Sequence, residues 1–268
     1  MSTDSVPLPP DRRAAVAHPT DRALSFGSAA AGYAKFRPGY PQQAVRCAVG
    51  LAPDTVLDLG AGTGKLTAAL VALRDADSLP RQIIAVEPDE QMLAALRRAV
   101  PGVRTELGSA EQIPVPDSSV QVITVGQAMH WFQLDAALPE MSRVLRPGGR
   151  LAALWNSRDP RHEFTMAFEQ QMDADVRPPG GSTGQTGPPS PPFSGRPEFT
   201  DPELTSFPWL RPMTRDQLHG LLDTLSYVIT AAPQRRQDLH NGVDALIDRW
   251  AGPLELAEVC QVWVAHRR

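Results

Sequence analysis

Cysteine, lysine and aromatic residues are scarce in this chain, and each scarcity narrows the field. Two cysteines, Cys47 and Cys260, stand far apart in 268 residues, each in an apolar run. They cannot form a disulfide framework, and they read as reduced thiols. With no Cys/His cluster at ligand spacing, no zinc site is expected. No apolar run approaches the ~18–20 residues that cross a bilayer. The opening MSTDSVPLPPDRR carries prolines and charges where a secretory leader needs an apolar centre. A cytoplasmic protein without a membrane partner is the expectation. Lysine occurs only at positions 35 and 65, and the remaining basic residues are arginine. Net charge is -4, which argues against a nucleic-acid partner. Aromatic residues are 6% and interleave with no basic strip. At this length a core can form without disulfide or metal.

What is abundant is order of a particular kind. Residues 1–22 are Pro-, Ser- and Ala-rich and read as a mobile tail. Helical stretches follow over 24–41, ending at RPGYP, and over 42–51. Then short apolar strands alternate with helices. Strands are expected at 55–59, 81–86, 103–107, 120–125 and 150–155, with helices near 65–73, from 88 or 89 onward, and 134–145. Strands that are apolar without strict alternation are covered on both faces. The pattern predicts an α/β fold with a Rossmann-like, doubly wound sheet that is mostly parallel. A helix is expected over 160–174 and a flexible Pro/Gly-rich loop over 177–197. A strand at 204–213, helices at 215–225 and 235–250, and a strand at 259–266 suggest a C-terminal antiparallel hairpin with a helical insert. Residues 23–268 read as a single domain, with a helical substrate cap from 24–41 and 212–250.

The strongest local signal is VLDLGAGTG, residues 56–64. Glycines at the end of a first parallel strand let the backbone turn sharply and approach a ligand. The helix N-terminus that follows offers free N–H groups. A Walker loop would need Gly at 59 and Ser or Thr at 66, and both positions are Leu. The dinucleotide fingerprint would need a third Gly at 65, which is Lys. An acid followed by G-x-G-x-G fits throughout: Asp58, Gly60, Gly62, Gly64. Glu87, in AVEPD (85–89), ends the second strand beside this loop. A carboxylate there can accept from both ribose hydroxyls. Tyr33 and Arg37, four apart in GYAKFRPGY, share a helix face.

With GSAEQIP (108–114), GQAMHWF (126–132) and RVLRPGGRLAALWN (143–156), these segments resemble, in order, a class I S-adenosylmethionine-dependent methyltransferase of the methyltransferase type 11 group. The resemblance covers residues 24–158. It implies S-adenosyl-L-methionine as cofactor and methyl transfer to a small-molecule acceptor by in-line displacement, with no metal. By that resemblance Gly60, Ala61 and Gly62 contact the methionine part through backbone, Asp58 orients the loop, and Pro88 follows the ribose-binding Glu87. Ala110 and Glu111 line the adenine. Ser109 stands where many relatives have Asp, and accepts from the adenine amino group without charge. The 24–41 stretch closes over the cofactor, with Arg37 on its carboxylate. Gln127 lies near the sulfonium, with His130 and Trp131 at the cofactor or substrate entry. His130 is the best candidate base by pKa, needed only for a protonated acceptor. Asn156 sits at the same sheet edge. Asp159, Arg161 and His162 face either substrate or solvent. Two other readings remain: a nicotinamide-dependent oxidoreductase and a non-catalytic cofactor-binding module. A monomer or weak homodimer is expected.

Overall fold

The computed structural model describes residues 36–51, 53–77, 80–173, 191 and 193–268. The tail at 1–22, most of the 24–41 helix with Tyr33, and most of the 177–197 loop lie outside these residues.

The alternation read from the sequence becomes one seven-stranded sheet. In chain order the elements are α1 (Gln42–Val49), β1 (Thr55–Leu59), α2 (Lys65–Asp77), β2 (Gln82–Glu87), α3 (Glu90–Ala99), β3 (Arg104–Leu107), β4 (Val120–Gly126), α4 (Leu134–Val144) and β5 (Leu145–Arg158). Then come α5 (Glu163–Asp173), β6 (Glu203–Pro212), α6 (Arg215–Leu222), α7 (Ser226–Ile229), α8 (Pro233–Arg249) and β7 (Glu255–His266). The strand order is β3-β2-β1-β4-β5-β7-β6. The first five strands pair in parallel, while β7 runs antiparallel to both β5 and β6. This is the expected doubly wound sheet with its C-terminal hairpin.

Neighbouring residues of each strand serve opposite faces. In β1, Val56 joins Ile83, Val122 and Leu154 against α1 and α2, where Val45, Ala48, Leu66 and Leu70 are buried. Leu57 and Leu59 join Val86, Ile123 and Val125 on the other face, against Leu138 and Met141 of α4. Every residue of β1 is buried, which is why it reads as an unbroken apolar run around Asp58. A separate apolar cluster joins Phe164 and Phe168 of α5 to Leu218 and Leu221 of α6 and to Leu239 and Val243 of α8.

Boundaries moved where tertiary pairing overrode local signals. The Arg-Pro-Gly-Gly turn, which reads as a stop, is taken into β5, because Val120 pairs with Leu145 before the register shifts and Val122 pairs with Arg150. The helix expected to reach 225 ends at Leu222. Phe193, inside the expected loop, is fully buried in the main core. Both cysteines are free; Cys260 is buried, and burial pushes its thiol up to about 12. Among the described residues no helix is long and apolar enough to cross a membrane.

Candidate active site

Parallel strands β1, β2, β4 and β5 end at one edge of the sheet, and the loops leaving them surround a cavity of about 270 Å³. Position at this edge follows from topology: the chain reverses winding direction between β1 and β4, which opens a crevice there.

The floor is the glycine loop. Gly60 and Ala61 donate their N–H groups to Val86 O at 2.9 and 3.1 Å, which stitches the loop to β2. Gly60 has φ +68°, and a Cβ there would lie 2.8 Å from Ala128 Cβ. Its missing side chain therefore lets the β4 exit pack close. Gly62 has φ +57° and only the Met92 sulfur as near as 4.0 Å, so its surroundings are open.

Glu87 holds this floor from the side. Its Oε2 accepts from Gly62 N at 2.8 Å, and its Oε1 accepts from Asp89 N at 3.1 Å. Asp89 in turn caps α3, accepting from the N–H groups of Gln91 and Met92. A carboxylate offers about four acceptor positions, so Glu87 keeps room for ligand hydroxyls after bracing the loop. Burial pushes its pKa upward, against the two backbone donors. Asp58 is 1% exposed. Its Oδ2 accepts from Thr67 Oγ1 at 2.6 Å, while Oδ1 is buried with no hydrogen-bond partner. Burial raises its pKa to about 7, and the nearby Glu87 charge adds to the rise while the Thr67 hydroxyl opposes it.

The opposite wall comes from the exits of β4 and β5. Gln127 has φ +56° without being glycine, a conformation retained where surrounding bonds enforce it. Here its N–H donates to Leu154 O at 3.0 Å, and its Nε2 donates to Asn156 O at 2.9 Å. Asn156 Nδ2 reaches Gly39 O at 2.8 Å and so fastens the segment before α1 to the sheet. Arg37 Nη2 holds the other side of that segment to Thr224 O at 3.0 Å. His130 is exposed at the mouth, its ring 4.7 Å from that of Trp131. Partial desolvation there lowers its pKa, which favours the neutral imidazole that a base requires.

Of the residues expected from sequence, Arg37, Asp58, Gly60, Ala61, Gly62, Glu87, Pro88, Gln127 and His130 share this one cavity, with Trp131 and Asn156. Ser109, Ala110 and Glu111 are outside its wall. Ala110 is buried in the core, and Glu111 Oε1 accepts from Gln133 N at 2.8 Å, at the start of α4. Their loop is fixed from behind, where Arg143 Nη2 and Nη1 donate to Ile113 O and Val115 O at 3.0 and 3.1 Å. Asp159, Arg161 and His162 take no part in the cavity. Asp159 pairs with Arg161 at 2.6 Å, and that bond lowers its pKa to about 2. Sequence reasoning gave no site role to Tyr40, Lys65, Leu66, Met92 or Phe132, all in the wall. Lys65 and Leu66 were reachable by following the loop into α2; Tyr40, Met92 and Phe132 arrive only through packing.

An S-adenosyl group suits these residues: a side-chain-free loop at Gly62, a braced carboxylate with spare acceptor positions, and an unpartnered buried oxygen on Asp58 beneath the bend.

Comparison with known proteins agrees. A methyltransferase domain family matches residues 57–153. An uncharacterized methyltransferase of Mycobacterium tuberculosis is 42% identical over 217 residues, spanning 81% of this chain and 82% of that protein. One from Schizosaccharomyces pombe is 32% identical over 228 residues, spanning 83% and 87%. A solved structure described as a type II methyltransferase from Anaeromyxobacter dehalogenans superposes with a TM-score of 0.60 at 27% identity, covering 87% of this chain and 98% of that one. Glycine loop, strand order and relatives together establish that the chain belongs to the class I S-adenosylmethionine-dependent methyltransferases.

Proposed function

We propose that this enzyme moves a methyl group from S-adenosyl-L-methionine to a small-molecule acceptor in the cavity above Gly62. The observation that carries this reading is the convergence of Gly62, Glu87, Gln127 and Arg37 on a single cavity of about 270 Å³. Bound there, the cofactor supplies an electrophilic methyl group on a positively charged sulfur.

The chain's own residues bind, orient and exclude water. Glu87 takes the ribose hydroxyls with the acceptor positions left by Gly62 and Asp89. Arg37 carries charge suited to the methionine carboxylate. Trp131 and Phe132 give an apolar wall that keeps water from the reacting atoms. Alignment of acceptor and methyl group contributes most, up to ~7–11 kcal/mol of the barrier. His130, with its lowered pKa, takes a proton where the acceptor is an amine or phenol. We assign the cap over the acceptor to 24–41 and 212–250, a reading supported by the packing of Phe36 with α6 and α8 in one apolar cluster.

A nicotinamide dinucleotide is disfavoured by Lys65 at the third fingerprint position and by the antiparallel β7 between β5 and β6. Calorimetry of the purified protein tests the reading. S-adenosylhomocysteine binds and NAD does not; NAD binding in place of S-adenosylhomocysteine refutes it. A screen of small-molecule acceptors, scored by S-adenosylhomocysteine release, then separates an enzyme from a binding module.

A further inference from the structure

Helix α6 contains a glycine that its own backbone does not call for. Gly220 is buried in the last turn of the helix. Its conformation is helical, outside the left-handed region that favours glycine. Glycine at such a position weakens a helix relative to alanine. What fills the place of its missing side chain is the Phe36 ring. A Cβ on Gly220 would lie 2.5 Å from Phe36 Cε2 and nearer still to Cζ and Cε1. The ring therefore rests directly on the bare backbone of α6, in the apolar cluster that also holds Leu218, Leu221 and Leu222.

This seat matters because of the residue that follows Phe36. Arg37 lines the cavity, whereas Gly220 does not. Three contacts of Phe36 and Arg37 reach into residues 211–224. They are the ring on Gly220, Phe36 O accepting from Arg211 Nη1 at 2.9 Å, and Arg37 Nη2 donating to Thr224 O at 3.0 Å. Leu221, the neighbour of Gly220, lines a narrow gap behind the cavity together with Arg37. A methyl group on residue 220 forces the ring back by about 1 Å to reach ordinary contact. Helix α6 does not yield, because Leu218, Leu221 and Leu222 are buried in the cluster beneath it. The ring is the far end of a side chain and can leave. Phe36 and Arg37 are successive residues, so its retreat draws the guanidinium from the cavity wall. A charge-assisted hydrogen bond weakens steeply with such a change in distance and angle.

We propose that Gly220 is a positioning residue for the cofactor: by seating Phe36 it holds Arg37 where the methionine carboxylate of S-adenosyl-L-methionine binds. Cofactor affinity is thereby tied to the packing of α6, a helix that does not touch the cavity. This rests on the methyltransferase reading above and on Arg37 as the partner of that carboxylate.

The test is calorimetry on the full chain with two ligands. One is S-adenosylhomocysteine; the other is methylthioadenosine, which keeps the nucleoside and the sulfur but lacks the amino-acid carboxylate. Gly220→Ala weakens S-adenosylhomocysteine roughly tenfold or more and changes methylthioadenosine by no more than about twofold. Phe36→Ala empties the same seat without crowding α6 and gives the same selective loss. In the Phe36→Ala background, adding Gly220→Ala costs little more, because the two changes act through one contact. A Gly220→Ala variant that binds S-adenosylhomocysteine as the unmodified protein does overturns the proposal. So does an equal loss of both ligands, or a Gly220→Ala loss that persists in full beside Phe36→Ala. Where Gly220→Ala fails to fold, Phe36→Ala decides: selective loss supports the seat, and unchanged affinity refutes it. An unmodified protein that binds both ligands equally well refutes the carboxylate role of Arg37, and the proposal with it. Binding of neither ligand is a separate result, and it overturns the cofactor reading itself.

Discussion

Gly60→Ala and Gly62→Ala change neighbouring positions of one loop by the same methyl group, yet their consequences should separate. Both glycines have positive φ, +68° and +57°, and an L-residue in left-handed backbone costs ~1–2 kcal/mol. At Gly60 the new Cβ would also stand 2.8 Å from Ala128 Cβ and 3.2 Å from the Phe132 ring. That crowding adds an overpacking cost of about 1–3 kcal/mol. Gly60→Ala therefore loses about 2–5 kcal/mol, a fall in Tm of roughly 4–20 °C for a chain of this size. Gly62→Ala pays only the backbone cost of ~1–2 kcal/mol, since nothing is nearer than 4.0 Å. Its methyl instead intrudes on the cavity floor, which lowers S-adenosylhomocysteine affinity by about 5–100-fold. Urea denaturation gives the first quantity and calorimetry the second. If Gly62→Ala proves as unstable as Gly60→Ala, or binds ligand as the unmodified protein does, the assignment of packing to one glycine and ligand approach to the other is refuted.

Glu87→Gln keeps the shape of a side chain that braces Gly62 and Asp89 but removes its charge. S-adenosylhomocysteine affinity should fall by about 10–100-fold, and unchanged affinity by calorimetry would remove Glu87 from the ligand site. Asp58 gives a pH test. Its folded pKa of about 7 exceeds the ordinary 3.8, so between those values the folded state holds a proton that the unfolded state has released. Stability from this group is therefore full in acid and declines as pH rises through that window, by a few kcal/mol. Asp58→Asn lacks this titration, so the stability of the unmodified protein relative to the variant drops between pH 5 and pH 8. Parallel urea midpoints for the two proteins at both pH values would contradict the raised pKa of the buried Asp58.

Much of the frame was legible because its causes are local. Strand β1 was expected at its observed bounds because an apolar run buried on both faces stops at Gly60. Asp89 was a candidate helix start and does cap α3 with its side chain. Glu87 stood out as an acid closing a buried strand next to the glycine loop. The limits of such reading are equally physical. Arg146 to Gly149 has turn chemistry, yet the chain there is drawn into β5 by pairing with β4 and β7. Phe193 belongs to a composition typical of loops, yet one aromatic side chain gains enough from burial to anchor in the core.

The sequence by itself determined the winding of the sheet, the bend beneath the cavity and the acid beside it, since periodicity and glycine spacing act over a few residues. Tertiary structure alone decided how the charges meet. Arg37, Lys65, Arg211 and Glu258 come from four distant parts of the chain, and only the insertion of β7 between β5 and β6 carries Arg211 and Glu258 to the same gap. It also decided that Asp58 holds its proton more tightly than an exposed carboxyl group does, because desolvation depends on what covers a carboxyl group and not on its neighbours in sequence.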